Sequence, residues 1–528
     1  MSIAETATDA GNMHNPSSAA GSGGSGLGRR SFLGYVIGGT TLVAAAELAA
    51  PARSEAVIPS LPQVPELYDL EDLQTDAALP TSALISVTIN SDGTASFAIP
   101  RAEVGQGITT STAMILADEL DLPVSKVKVT LAPARPELMF NQLTGGSNTT
   151  VSTYTPIRVA AAIARNALLD AAAIELGYAV ARLRTYEGLV EAPDGTTIGY
   201  GELAQKAASP DTKQVEVALK EAKDRKVVGR PHNRDDALAA VTGQKDFSMD
   251  LDVKGALPTM VCRAPTLNGT PRRLKNRKKI KRMPGVKDVV KVDTGIAVRA
   301  RTFGQCIDAI REMKVVWNKG SAEGESDQTI LAGLRRAELP MVVPNVPILA
   351  EQIDADFAFA FRSSAALEPN CAIADVREDS AEIWAGLKVP ILAQQNIAQA
   401  VGLRQDQVKV NVITSGGSFG HKLFSDAAIE AAKISQKMKK PVRLMWHRAD
   451  EPRQGRLHPM CTSRVRATML GNEVLSFEQR NTSVVTDFSH GLGEIITSTI
   501  DEAPTDVGKA LGGLGFSETI FTLTQELP

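Results

Sequence analysis

Thr414-Ser415-Gly416-Gly417-Ser418-Phe419-Gly420-His421-Lys422 is the stretch from which the rest of this 528-residue chain can be read. It begins where Val408, Val410 and Val412 stop alternating with polar residues, the period-two mark of a strand, and it runs into Ser425, Asp426 and a helical pattern. A strand that feeds a glycine-rich turn and then a helix suits an anion. Backbone without Cβ atoms approaches a ligand closely, and the N–H groups of the turn and of the first helical turn point at it. The pattern is not a nucleotide P-loop, which needs four residues between its first glycine and a Gly-Lys-Ser/Thr end, nor is it the dinucleotide Gly-x-Gly-x-x-Gly. Taken alone, such a turn most simply reverses the chain.

Upstream, a related element precedes another helix. Ile85 to Ile89, a turn at Ser91-Asp92-Gly93, and Ala95 to Ile99 predict a hairpin. Glu103-Val104-Gly105-Gln106-Gly107 follows and opens a predicted helix over Thr109–Leu120, with Ile108, Thr112, Ile115, Leu116 and Glu119 on one largely buried face. The Gln106 amide offers both a donor and an acceptor to a ligand, and a solvated Gln in a glycine-capped joint is the alternative. An internal echo links the two regions. Leu122 and, after four residues, Val127-Lys128-Val129 recur as Leu403 and, after four residues, Val408-Lys409-Val410. A Gly-Gly-Ser turn and a helix follow each copy, at Gly145-Gly146-Ser147 and at Gly416-Gly417-Ser418. Two related αβ units with equivalent turns suggest one ligand clasped between two domains; the unequal spacing from strand to turn leaves a chance recurrence of a common αβ pattern open.

Between the copies, Tyr154–Leu176 reads as an alanine-rich helix, and 190–207 as a small hairpin and helix. Leu251 to Trp317 reads as a separate α/β module, with strands near Val289–Val292 and Ile296–Ala300 and a helix over Phe303–Met313. Its basic run, Arg272 to Arg282, reads as a solvated loop face, with docking of an acidic redox partner as the sharper alternative. Ser425 can cap a helix to Met438, and Val442, Leu444 and Trp446 form the next strand.

Length calls for two to four domains, and 43 % hydrophobic with 22 % charged residues is a globular composition. A net charge of -3 argues against general nucleic-acid affinity. Cys262, Cys306, Cys371 and Cys461 are far apart, so an iron–sulfur centre belongs on another chain, and six scattered histidines make a protein-ligated metal unexpected. Near the N-terminus, Arg29-Arg30-Ser31-Phe32-Leu33 and the apolar run from Tyr35 to Ala50 match a twin-arginine export signal, with a cleavage site near Ala49-Ala50-Pro51-Ala52. The run is too short and too rich in Gly, Thr and Ala to be a comfortable membrane span. Export by this route carries folded proteins to the periplasm and favours a bulky bound cofactor.

Together, Glu103 to Gly107, Thr144-Gly145-Gly146-Ser147, Leu367-Glu368-Pro369, Gly416 to Gly420 and Trp446-His447-Arg448 resemble the molybdopterin-binding large subunit of the xanthine dehydrogenase and aldehyde oxidase superfamily, nearest its isoquinoline 1-oxidoreductase beta branch. The resemblance implies a mixed α/β, multidomain molybdopterin-hydroxylase fold. It would comprise a signal and leader (1–54), a linker (55–82), a first pterin-binding αβ domain (83–229), a small hammerhead-like α/β module (230–329) and a second pterin-binding αβ domain, incomplete at its end (330–528). It further implies a molybdenum–molybdopterin cofactor, usually in the cytosine dinucleotide form. Gly105, Gln106, Gly107, Gly145, Gly146, Ser147, Gly416, Gly417, Ser418, Phe419 and Gly420 would hold it, and no protein atom would bind the metal. The implied reaction hydroxylates an N-heterocycle or oxidises an aldehyde with oxygen from water. Electrons would pass to a small [2Fe–2S] partner subunit and then to a cytochrome or other acceptor. Ser418 stands where the family has a third glycine. The family's catalytic glutamate, in a Gly-x-Gly-Glu-Pro-like motif, has no match: Leu492-Gly493-Glu494 is followed by Ile495, so Glu494 is expected to be a surface carboxylate and the catalytic residue is unassigned. The chain is therefore also readable as a truncated pterin-binding remnant that needs another chain for activity.

Overall fold

The computed structural model describes residues 31–47, 85–147, 149–343 and 350–485. The first sheet starts with β1 (Ser31–Ile37) and β2 (Val43–Glu47), an antiparallel hairpin made from the stretch that reads as the apolar part of an export leader. β-Branched and small residues suit a pleated, packed strand, and Val36, Leu42 and Ala44 to Ala46 are buried here. The expected hairpin follows as β3 (Ser86–Ile89) and β4 (Ala95–Ile99). Helix α1 (Ile108–Leu120) crosses back, and β5 (Val127–Leu131) pairs parallel with β4. The long helix α2 (Thr149–Leu176) packs on the sheet with Ile157, Ile163 and Leu168 in the core, and β6 (Lys213–Ala218) closes the far edge against β1. Strand order is β5-β4-β3-β2-β1-β6.

The second sheet takes in the small module. β7 (Leu257–Cys262), β8 (Val286–Val292), β9 (Gly295–Ala300) and helix α3 (Phe303–Glu312) enclose a core of Met260, Ile280, Val298, Cys306 and Ala309. After β10 (Glu351–Phe359) come β11 (Cys371–Val376), β12 (Ala381–Ala385), α4 (Pro390–Val401), β13 (Val408–Val412), α5 (Asp426–Met438) and β14 (Val442–Met445). The order β8-β9-β7-β14-β11-β12-β13 shows that the module expected to be separate extends the sheet of the second unit, because β7 pairs parallel with β14 from Leu257↔Val442. β10 pairs instead with β15 (Cys461–Leu470), which in turn pairs with β16 (Glu473–Ser483), in a three-stranded antiparallel sheet.

The sequence echo has a structural cause. β3-β4-α1-β5 and β11-β12-α4-β13 are the same ββαβ unit: an antiparallel pair, a helix, and a strand parallel to the second. Both helices end on a left-handed residue, Asp121 or Gly402, and Leu122 and Leu403 donate their N–H to Ala117 O and Ala398 O at 2.9 Å in each case. That αL termination, with an apolar residue just beyond it, is a helix-stop motif, and it fixes Leu122 and Leu403 ahead of their strands.

Candidate cofactor site

The two units meet along a seam built mostly of backbone. Ala134 N–H donates to Val410 O, Ser415 N–H to Glu103 O, Thr144 N–H to Lys388 O and Lys388 N–H to Lys422 O, each at 2.9 Å. These bonds bring the three glycine-rich turns of the sequence to one junction. A cavity of about 460 Å³ opens beside it at the carboxyl ends of β5, β12 and β13, lined by Leu131, Pro133, Trp384, Asn411, Val412 and Ile413 and flanked by Leu251 to Val253. The carboxyl ends of strands in αβ sheets are where ligands commonly sit.

The turns differ in what their N–H groups do. In the Gly-Gln-Gly turn, Glu103, 1 % exposed, accepts from Gly105 N–H at 2.8 Å, Gly107 N–H at 3.1 Å and Thr109 N–H at 3.3 Å. Arg234 clamps the same carboxylate at 3.3 Å and donates to Gly105 O at 2.6 Å. Gln106 closes on its own loop, its Oε1 accepting from Val104 N–H at 2.7 Å and its Nε2 donating to Ala102 O at 2.8 Å. Glu103 is thus the anion at the start of α1, an internal substitute for the ligand that the sequence places there. Gly105 and Gly107 are needed for their φ of 106° and 81°, which L side chains rarely adopt.

The Gly416–Gly420 turn is open. Among the described residues no acceptor lies within hydrogen-bond reach of the N–H groups of Gly417, Ser418, Phe419 and Gly420. Gly416 is required by packing, since a Cβ there would lie 2.9 Å from Glu368 Cβ. The turn is held from beneath: Gly416 N–H donates to Glu368 Oε2 at 3.2 Å, Lys422 Nζ pairs with the same carboxylate in a buried ion pair, and Lys422 N–H donates to Ser418 Oγ at 3.2 Å. Serine in place of a third glycine is therefore used as an acceptor that ties the turn to the next one. Among the described residues, two buried oxygens at this place, Glu368 Oε1 and Ser415 Oγ, have no hydrogen-bond partner.

The Gly145–Ser147 turn opens α2. Thr144 fixes it through its N–H to Lys388 O and through Oγ1, which accepts from Ala102 N–H at 2.8 Å, while Gly146 and Ser147 stand exposed at φ of 54° and 58°. Ser147 and Phe419, at 49°, are non-glycine residues held in left-handed backbone, one in each open turn, and Phe419 is 67 % exposed. Strain of this kind collects at ligand sites.

Two contributors, Lys388 and Arg234, had no sequence signal. Lys388 sits between the two open turns, and burial alone pushes its ammonium pKa down to about 8; among the described residues no carboxylate pairs with it. Arg234 reaches the first turn from 127 residues beyond Gly107, a distance that no local pattern reveals. Buried His421 accepts from Asn370 Nδ2 at 2.7 Å, and burial holds its pKa below the ordinary value, with Asp426 partly opposing. Trp446-His447-Arg448 frames the 366–368 segment: Arg448 donates to Ala366 O and, at 3.0 Å, to Leu367 O. Glu494 lies outside the described residues.

A molybdopterin cofactor-binding domain model matches residues 68–239, and a second matches 349–468. The two matched segments contain the two ββαβ units and all three turns. The chain belongs to the family of molybdopterin-binding large subunits of the xanthine dehydrogenase and aldehyde oxidase type. Among characterised relatives it is 26 % identical over 381 residues to a nicotinate dehydrogenase subunit of Pseudomonas putida, covering 69 % of this chain and 32 % of that one. It is 25 % identical over 506 residues to the beta subunit of isoquinoline 1-oxidoreductase of Brevundimonas diminuta, covering 83 % and 64 %. The chain thus spans between about a third and just under two thirds of these relatives' length. The aldehyde oxidoreductase structure from Desulfovibrio desulfuricans is 16 % identical and covers 82 % of this chain and 46 % of that one, with a TM-score of 0.41.

The open turns fit such a cofactor: unsatisfied N–H groups suit its phosphates, and the unpaired buried oxygens at Glu368 and Ser415 mark a place where a further polar partner belongs. The Gly-Gln-Gly turn does not fit as a direct anion site, because Glu103 already occupies it.

Proposed function

We propose that this chain is the cofactor-binding subunit of an oxidoreductase that hydroxylates an N-heterocycle or oxidises an aldehyde. The observation that carries the reading is the pair of open turns, Gly145–Ser147 and Gly416–Gly420, joined through Lys388 at the seam of two molybdopterin-binding domains. When bound, the molybdenum cofactor supplies two-electron oxidation with oxygen from water. This chain's part is to bind and orient it. Gly417 to Gly420 offer N–H donors, the start of α2 offers its dipole, and Lys388 offers a poorly solvated cation to a phosphate. The cavity beside the seam is of a size for a small aromatic substrate, and the names of the relatives favour a nitrogen heterocycle or an aldehyde. A cytosine dinucleotide form of the cofactor, a small [2Fe–2S] partner subunit, a cytochrome or other final acceptor, and twin-arginine export to the periplasm complete the proposal. The spread of the cysteines and the Arg29-Arg30-Ser31-Phe32-Leu33 element support it. A second reading is a pterin-binding chain that requires another chain for activity. Purification from a molybdenum-replete host, followed by metal analysis, identification of the released pterin nucleotide and dye-linked assays on nicotinate, isoquinoline and benzaldehyde, tests both. Cofactor with turnover supports the first reading, cofactor without turnover the second, and absence of cofactor refutes both.

A further inference from the structure

The same residues that read as an export signal are built into the first sheet. β1 and β2 are inner strands: β1 pairs with β6 from Ser31↔Ala218 to Val36↔Lys213 on one side and with β2 on the other, and β2 pairs with β3 from Val43↔Thr88 to Ala45↔Ser86. Leu42 and Ala44 to Ala46 are 0 % exposed. Their fit is specific. A Cβ on Gly34 would lie 2.3 Å from Ile163 Cδ1 of α2 and 2.4 Å from Ala45 O, so the strand passes the helix only because this residue has no side chain. The hairpin's turn is tied down as well, by Gly38 N–H to Thr212 Oγ1 at 2.9 Å, Gly39 N–H to Ser209 O at 2.9 Å and Thr41 Oγ1 to Ile89 O at 2.8 Å.

An export signal that is clipped and discarded cannot also be two inner strands. Without the hairpin, β3 and β6 would stand three strand spacings apart, roughly 14 Å. Both would present unpaired ladder groups, and α2 would face water along its Ile163 side. We infer that the apolar run 31–47 is a permanent part of the first cofactor-binding domain and stays with the mature chain. The retention of the hairpin stands independently of the proposed catalytic function and of whether the chain is exported.

Two measurements test it on the full chain. Intact mass and N-terminal sequencing of the protein purified from its own cells should find a chain that begins at or before Ser31; a mature N-terminus anywhere beyond Ser31 would overturn the inference. In the second, a specific protease site is inserted between Ala50 and Ala52 and cut in the folded protein. The N-terminal fragment should co-elute with the remainder in native size exclusion and separate only in urea. Release of the fragment in native buffer, with the remainder keeping its melting temperature within 1–2 °C, would overturn the inference even if the mass agreed.

Discussion

The two ββαβ units share one topology, and two glycine turns at different places beside them, one ahead of α1 and one after β13, are used differently. In the first, a carboxylate from the chain, Glu103, lies where an anion would bind and takes the N–H groups of Gly105, Gly107 and Thr109. In the second, the carboxylate Glu368 lies beneath the turn, neutralised by Lys422, and the N–H groups from Gly417 to Gly420 have no protein acceptor among the described residues. One turn is filled from within; the other is left open to water or a ligand. Glycine content alone therefore does not identify an anion site: the position of the nearest buried acid does.

The contrast can be broken most sharply at Glu103. Glu103→Ala leaves three N–H groups without an acceptor and takes one partner from Arg234, which keeps Asp236 and Gly105 O, and the cost is expected to be about 2 to 4 kcal/mol in urea unfolding, with or without cofactor. A loss that appears only in the cofactor-bound protein would mean that Glu103 acts through the ligand. Lys388→Met tests the opposite sign. The folded pKa is depressed to about 8 from 10.5, so below pH 8 the folded state carries a charge that it disfavours and the unfolded state does not. Removing it should raise the stability of the cofactor-free protein at pH 7 by about 1 to 3 kcal/mol and weaken cofactor retention; a destabilised cofactor-free protein would contradict the assignment.

Gly416→Ala sharpens the comparison at the second turn. Its Cβ collides with Glu368, at a cost of about 1 to 3 kcal/mol, and molybdenum content should fall with it. The smallest effect is a pH dependence. His421 has a folded pKa below its unfolded value of 6.5 and accepts from Asn370, so its contribution to stability is present above pH 6.5 and is lost as pH falls below it. His421→Gln should flatten the acid limb of the stability profile by about 1 kcal/mol or less; an unchanged limb would remove His421 from the account.

Sequence pattern located the elements that repeat and the turns that join them, because hydrophobic period and glycine position are local properties. The Leu-x4-Val-Lys-Val echo corresponds to an αL helix stop followed by a parallel strand in both units. The use of each turn was not legible, since it depends on Glu103 folding back over its own loop and on Arg234 arriving from a distant segment. Nor was the place of 31–47. A run of Gly, Ala, Thr and Val is apolar enough for a signal and small enough for a packed strand, and only the match of Gly34 to Ile163 shows the second use. The strands near Val289–Val292 and Ile296–Ala300 were legible, but β7, which joins them to β14 across about 180 residues, left no local trace.

The central claim is that the open turns hold a molybdopterin and the closed one does not. Molybdenum per chain, measured by plasma mass spectrometry on protein from a molybdenum-replete host, tests it across three proteins: wild type, Gly417→Val and Gln106→Ala. Near-stoichiometric metal in wild type and Gln106→Ala, with at least a tenfold loss in folded Gly417→Val, is the predicted result. Full retention in Gly417→Val, or an equal loss in Gln106→Ala, would contradict it.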